Sequence, residues 1–206
     1  EYGGDKGIFA YGYAAPSLQN VSNLVSNAGV VATDVTGVGT ARSELSACSY
    51  GDDKGIFGFG YVSGAVGMTN LVSNAGVVAT DVTAVGTARY GSAACEYGGD
   101  KGIFAFGHDG SGYVSTSNLV SNAGVVATDT TGVGTIREAE AACGYGYDKG
   151  IFGFGSAGAA GRYGVTNLVS SSGVVATDVA AVGTARNGLA ATQYGGDKGI
   201  FGYGND

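Results

Sequence analysis

Lys54-Gly55-Ile56-Phe57-Gly58-Phe59-Gly60 decides the fold, because the same seven-residue pattern occurs five times. The other copies open at Lys6, Lys101, Lys149 and Lys198. Small exchanges separate them: Gly58 gives way to Ala10 or Ala105, and Phe59 to Tyr11 or Tyr203. From lysine to lysine the period is 48, 47, 48 and 49 residues, so the chain is one repetitive domain, to be counted in repeats. The spacing from the Asn-Leu pair (Asn23, Asn70, Asn118, Asn167) to the next signature aspartate (Asp53, Asp100, Asp148, Asp197) is constant at 30 residues. All slippage falls in segments 13–22, 61–69, 108–117 and 156–166, where the repeats also stop agreeing; this marks surface loops that tolerate insertion.

Each period reads as four short strands, A to D. Segment A is Leu45 to Tyr50. The turn Gly51-Asp52-Asp53-Lys54 supplies the Gly and Asp that a tight reversal needs. Segment B is the signature; strict alternation along a strand would send Phe57 and Phe59 to one face and Ile56, Gly58 and Gly60 to the other. Segment C runs from Thr69 to Asn74 and segment D from Val77 to Val82. No stretch carries apolar residues at helical spacing, and β-branched residues and glycines dominate every element, so the chain is all-β. Four short strands per 47–49 residues match one blade of a β-propeller, in which both faces of each blade are covered by neighbours. Aromatics on one face and glycines on the other fit that demand, since a phenylalanine of one blade can fill the hollow a glycine leaves on the next.

The expected architecture is a propeller of four four-stranded blades. Blade 1 takes residues 1–42 plus 187–194, blade 2 43–89, blade 3 90–137 and blade 4 138–186. The segment A copy at Leu189 to Tyr194 completes the first blade and closes the ring. That closure leaves one signature too many: 195–206 is then an extra strand-like tail, a replacement for the N-terminal copy, or part of a fifth blade.

Composition narrows the function. Glycine is 41 of 206 residues, without a Gly-X-Y period and with a single proline, which excludes collagen. With 44% hydrophobic and 13% charged residues the chain has ample apolar surface to order itself. Net charge is −7, and five of the ten basic residues are the evenly spaced signature lysines, so there is no basic patch for nucleic acid. No run of about 18 apolar residues and no basic segment leading into an apolar one occurs, so neither membrane insertion nor a signal peptide is expected of these residues. Cys48, Cys95 and Cys143 hold one equivalent position in successive repeats, filled by Thr192 in the next. Equivalent places and an odd number argue for small buried hydrophobes rather than disulfides, and Thr192 breaks any thiolate ring around a metal.

Catalysis has little to draw on. His108 is the only histidine, no Ser, His and Asp set accompanies it, and no metal-ligand spacing is present, so neither an enzyme nor a cofactor is expected. The repeated charges, Asp81 and Arg89 with their copies, read as scaffolding: an arginine clip onto backbone carbonyls or the nearby aspartate. What differs between repeats lies in the loops between B and C: Tyr13, Tyr61, His108, Asp109, Tyr113, Arg162 and Tyr163. Four such loops would cluster on one rim, and tyrosine and arginine are favoured in recognition surfaces. A protein or carbohydrate partner is the expectation; a purely structural assembly module without a ligand is the alternative, and near-identical repeats also invite self-association or strand exchange.

The pattern resembles the kelch repeat: an arginine before segment A (Arg42, Arg89, Arg137, Arg186), an aromatic segment B ending in glycine (Gly12, Gly60, Gly107, Gly155), a variable loop and two outer strands. It departs from kelch in having Gly-Phe-Gly or Ala-Phe-Gly for the double glycine and no tryptophan. In wording, Thr-Asn-Leu-Val-Ser, Gly-Val-Val-Ala-Thr-Asp and Val-Gly-Thr-Ala-Arg are similar to repeats of bacteriophage tail and virion proteins, marine ones especially. That resemblance implies a β-propeller binding or adhesion module on a virion or extracellular surface.

Overall fold

The computed structural model describes residues 1–206. Thirteen strands form five small antiparallel sheets. The first pairs β1 (Gly7–Ala14) with β2 (Ser17–Val25). Three equivalent sheets follow: β3 (Ser46–Tyr50), β4 (Lys54–Gly58) and β5 (Thr69–Val72); β6 (Ala93–Tyr97), β7 (Lys101–Ala105) and β8 (Ser117–Val120); β9 (Ala141–Tyr145), β10 (Lys149–Gly153) and β11 (Thr166–Val169). The last pairs β12 (Ala190–Tyr194) with β13 (Lys198–Gly202). The only helical element is one 3-10 turn, Gly158–Ala160, and no helix is long and apolar enough to cross a membrane. The all-β reading holds, as do the strand positions of A, B and C in the second to fourth repeats; in the first repeat the segment 13–22, expected as a surface loop, instead lies within the β1–β2 hairpin, with Tyr13 opposite Leu18 and Ala14 opposite Ser17.

Segment D is not a regular strand. It meets segment C at two isolated bridges, Val72↔Val78 and Thr69↔Val82, with copies in every repeat that has the segment. Between them the Ala79 amide donates to the Leu71 carbonyl (2.8 Å), and the Asn70 side chain supplements that bond, its Nδ2 donating to the Ala79 carbonyl (3.0 Å) and to Asp81 Oδ1 (2.9 Å). Each complete sheet therefore has three regular strands and an outer edge laced by backbone and side-chain bonds instead of four strands.

Alternation also fails at one residue of the signature. Phe59 has φ of +62° and Gly60 +116°, and the same pair recurs at Tyr11, Phe106, Phe154 and Tyr203. An aromatic residue in the left-handed region costs on the order of 1 kcal/mol. The reversal turns Phe59 away from the side of Phe57. Phe57 meets Tyr11 of the preceding sheet, ring centroids 5.5 Å apart, whereas Phe59 meets Phe104 of the following one at 5.2 Å. The contact repeats at Phe106–Phe152 (5.4 Å) and Phe154–Phe201 (5.5 Å). The two aromatics serve opposite faces, not one.

The expected match of ring and glycine is present. A Cβ added to Gly58 would come 2.8 Å from Phe104 Cζ, and one at Gly153 3.0 Å from Phe201. Ala105, in the equivalent place, packs with Phe152, so the ring yields to one methyl group. The signature's first glycine is matched likewise by cysteine: a Cβ on Gly102 would lie 2.5 Å from Cys48 Sγ, and one on Gly150 2.6 Å from Cys95 Sγ. All three cysteines are free and buried. Burial pushes the Cys48 thiol up to about 12, which keeps it protonated.

The expected ring closure does not occur. β12 pairs with β13, Thr192 opposite Ile200 and Tyr194 opposite Lys198, rather than completing the first sheet, so Lys198–Gly202 is the second strand of a fifth sheet. β12 and β13 pack against β9. Phe9 and Tyr203, which a closing contact would bury, are 67% and 89% exposed. Five sheets stand in succession, and the outer faces of the first and last are open.

Glu140 occupies the junction between the third and fourth sheets, where the equivalent positions hold Leu45, Ser92 and Leu189. It is buried, its Oε1 accepts the Ala93 amide at 3.1 Å and Oε2 has no partner. Burial pushes its carboxyl up to about 8, against the opposing pull of Arg137.

Two outcomes follow. Phe104→Ala should cost about 3 to 5 kcal/mol in chemical denaturation, while Phe9→Ala, the same signature residue on an open face, should stay within about 0.5 kcal/mol. Because folding favours the protonated Glu140, its stability is fullest below the ordinary carboxyl range near 4.5, falls as pH rises towards about 8 and is level beyond. Glu140→Gln should flatten that decline in urea melts across the range.

Candidate functional site

The three junctions between the first four sheets each carry a buried arginine clip. Arg42 is fully buried, its guanidinium 4.2 Å above the Tyr11 ring of its own repeat. It donates to the next repeat through Nε to the Phe59 carbonyl (2.9 Å) and Nη2 to Asn70 Oδ1 (2.7 Å). Asn70 holds Asp81, which in turn accepts the Thr40 amide (3.0 Å) and hydroxyl (2.7 Å), closing a loop of contacts across the two repeats. Burial works to raise the Asp81 carboxyl, but the Thr40 and Asn70 hydrogen bonds outweigh it and hold the group low. Arg89 and Arg137 lie 3.9 Å over Phe59 and Phe106, and burial pushes Arg89 down to about 10. Charges locked this way are scaffolding, as their recurrence implies. Arg42→Ala would strand the Asn70 oxygen and two carbonyls in the interior, and a loss of about 3 kcal/mol or more is expected in thermal or urea unfolding.

The repeats differ just beyond the clip. The residue after each arginine forms a bridge with the residue after the signature: Ser43↔Tyr61, Tyr90↔His108, Glu138↔Ser156 and Asn187↔Asn205. Direct opposition brings side chains into contact. Tyr90 stacks on His108 with centroids 5.1 Å apart and planes at 24°, Tyr61 meets Tyr90 edge-on at 5.2 Å, and His108 meets Tyr113 edge-on at 4.9 Å. The Tyr113 hydroxyl then reaches the Gly158 turn of the next repeat. Four rings form one band across the second and third repeats. Tyr61 is 36% exposed and the others are half-buried.

Beside Tyr61 the band opens into a cleft of about 730 Å³, whose other wall is the β1–β2 hairpin with Tyr13 and Leu18; Glu44 lies on its floor. Tyr13 is 63% exposed. Glu138 sits near the band's other half, and burial, reinforced by Glu44, raises its carboxyl against the pull of His108. The rim thus offers apolar ring faces edged with carboxylates.

Of the residues expected at the site, the structure joins Tyr61, His108 and Tyr113 and places Tyr13 across the cleft. Asp109 serves its own turn: Oδ1 accepts the Ser111 and Gly112 amides at 2.7 and 2.8 Å, which lowers its carboxyl, and His108 Nδ1 accepts the Gly110 amide at 2.9 Å. Arg162 stands in the fourth repeat where Tyr113 stands in the third, and donates through Nε to Asn187 Oδ1 (3.3 Å). There the bridge is polar instead of aromatic. Tyr163 takes the place of Val66 and Val114, its amide donating to the Gly155 carbonyl, and lies outside the band. Tyr90 was missed by loop-based reasoning. Its signal was available, since Ser43, Tyr90, Glu138 and Asn187, each following a clip arginine, all differ.

A second cavity, of about 220 Å³, lies among the inner strands β3, β6, β9 and β12. Glu1, Glu96 and Gln193 enter it, and burial and then the Glu1 charge raise the Glu96 carboxyl. Its wall otherwise combines the repeated cysteines and alanines with Ile8, Ile56, Phe57 and Val72. The sequence matches no protein-family model, and no curated protein matches it.

Proposed function

We propose that the chain is a non-enzymatic binding module whose repeats are blades of a β-propeller and whose ligand is a glycan, taken up by the rim from the Tyr13–Tyr61 cleft to Tyr113. The single observation that carries this is the aromatic band: Tyr61, Tyr90, His108 and Tyr113 in one unbroken series, three of them in segments that vary between repeats. Scaffold packing gives no reason for rings at those positions, because the fourth repeat keeps the same backbone bridge with Glu138, Ser156 and Arg162. Ring faces pack on the apolar face of a sugar, and carboxylates such as Glu44 and Glu138 accept hydrogen bonds from hydroxyl groups. The similarity in wording to phage virion repeats supports a role at a virion or extracellular surface, where glycans are displayed. The consecutive inner strands around one cavity and the covered sheet faces support the propeller reading.

A glycan array followed by titration calorimetry tests this. Binding to at least one glycan class is expected, and Tyr61→Ala or Tyr90→Ala should each weaken it about tenfold with folding unchanged. Absence of binding across the array, or binding indifferent to both substitutions, rejects the rim as a glycan site.

A further inference from the structure

Two carboxylates stand at the rim without a cation of this chain to meet them. Of the ten basic side chains, the five signature lysines each pair with the aspartate before them, and Arg42, Arg89 and Arg137 are buried in the clips. Arg162 donates to Asn187 and Arg186 to the Tyr203 carbonyl. None pairs with Glu44 or Glu138. These two are neighbours: a Cβ added to Gly91 would lie 3.2 Å from Glu138 Oε2, and the Gly91 amide donates to the Glu44 carbonyl (3.0 Å). Burial raises the Glu138 carboxyl and the Glu44 charge raises it further, so each side chain feels the other.

Glu44 also stands where the frame asks for no side chain. Its φ is +53°, and the equivalent positions hold Gly91 (+61°), Ala139 (+54°) and Gly188 (+63°). Glutamate in left-handed backbone carries a strain that glycine avoids. The side chain it brings is exposed and lines the cleft of about 730 Å³ between Tyr61 and Tyr13. Ser17 and Ser43 add hydroxyl groups to that cleft, Leu18 adds an apolar patch, and no basic residue lines it. An aromatic ring face attracts a cation through its quadrupole, so a cleft with two tyrosines and an unpaired carboxylate selects for positive charge. An amino sugar uses every one of these groups, its apolar face on tyrosine, its hydroxyls on the serines and its ammonium on Glu44. A lysine side chain would use the charge and leave the serines idle.

Resting on the glycan reading above, we propose that the Tyr13–Tyr61 cleft is a subsite for a sugar carrying a free, protonated amino group. Glu44 accepts the N–H bonds of that ammonium, and Glu138 is the second negative charge that draws it to the rim.

The test titrates the full chain by calorimetry, at one ionic strength, with fully deacetylated glucosamine oligomers and with N-acetylated oligomers of the same length. The deacetylated form should bind about tenfold more tightly. Glu44→Gln should remove that preference and leave binding of the acetylated form as it was, whereas Tyr61→Ala should weaken both. Asp52→Asn, an exposed acid in the turn after β3, should change neither. Acetylated oligomers bound as tightly as deacetylated ones, or an array whose hits carry no free amino group, overturn the amino-sugar assignment and leave the glycan reading standing. Absence of binding to any glycan removes both. A preference that survives Glu44→Gln, or that Asp52→Asn reduces equally, is attraction to the net charge of the chain and overturns the subsite. A lysine-rich peptide that displaces the oligomer at lower concentration, with the same dependence on Tyr61 and Glu44, assigns the cleft to a protein and overturns it too.

Discussion

A buried guanidinium lying flat on an aromatic ring is the constraint from which the rest of this structure follows. Arg42, Arg89 and Arg137 are each fully buried, and a cation is taken out of water only where its surroundings replace the lost hydration. Here the ring of the same repeat covers one face, while carbonyls and, for Arg42 and Arg137, an asparagine of the next repeat take its protons. That asparagine grips the outer edge through Asp81 or Asp178, and the aspartate returns to the threonine two residues before the arginine. The outer edge, the signature strand and the linker are thus fixed by one set of contacts, and these span two repeats. A single repeat leaves the set unfinished.

The ring beneath the guanidinium explains the least favourable backbone in the molecule. Phe59, Phe106 and Phe154 adopt left-handed φ, where glycine would be the ordinary choice. The conformation turns the ring onto the next sheet, between an arginine and a phenylalanine. Burying a phenylalanine is worth roughly 1.5 to 3 kcal/mol, which outweighs the backbone cost. Strict alternation put both signature aromatics on one face, and only the Phe-Gly pair of positive φ reverses the second.

What the sequence made legible was what repeats. Period, strand positions, turn chemistry, buried cysteines and the pairing of Phe104 with Gly58 all follow from side-chain size and spacing. Segment D was harder, because Val77 to Val82 reads as a strand while its edge is held by a few backbone bonds laced with the side chains of Asn70 and Asp81. Ring closure was illegible for another reason: it depends on the turn taken at each junction, and no residue type encodes an angle. The rim was half legible. Variability pointed to Tyr61, His108 and Tyr113, but Tyr90 sits next to a constant arginine, and its neighbourhood is defined by a bridge between segments far apart in the chain.

The succession of equivalent junctions has a consequence for how such a molecule changes over generations. In most proteins an inserted or deleted segment must be reconciled with surroundings shaped for something else. Here every unit presents to its successor the surface its predecessor presented to it, and stability accrues by neighbouring pairs. A gene of this form can gain or lose a whole unit in one unequal recombination event and still encode contacts that fit. The near-identity of its repeats is the condition that makes such events frequent. The Asn-to-Asp stretches can then remain uniform while the loop residues of each unit diverge, so that a change in unit number alters the set of rim side chains without redesign of the frame.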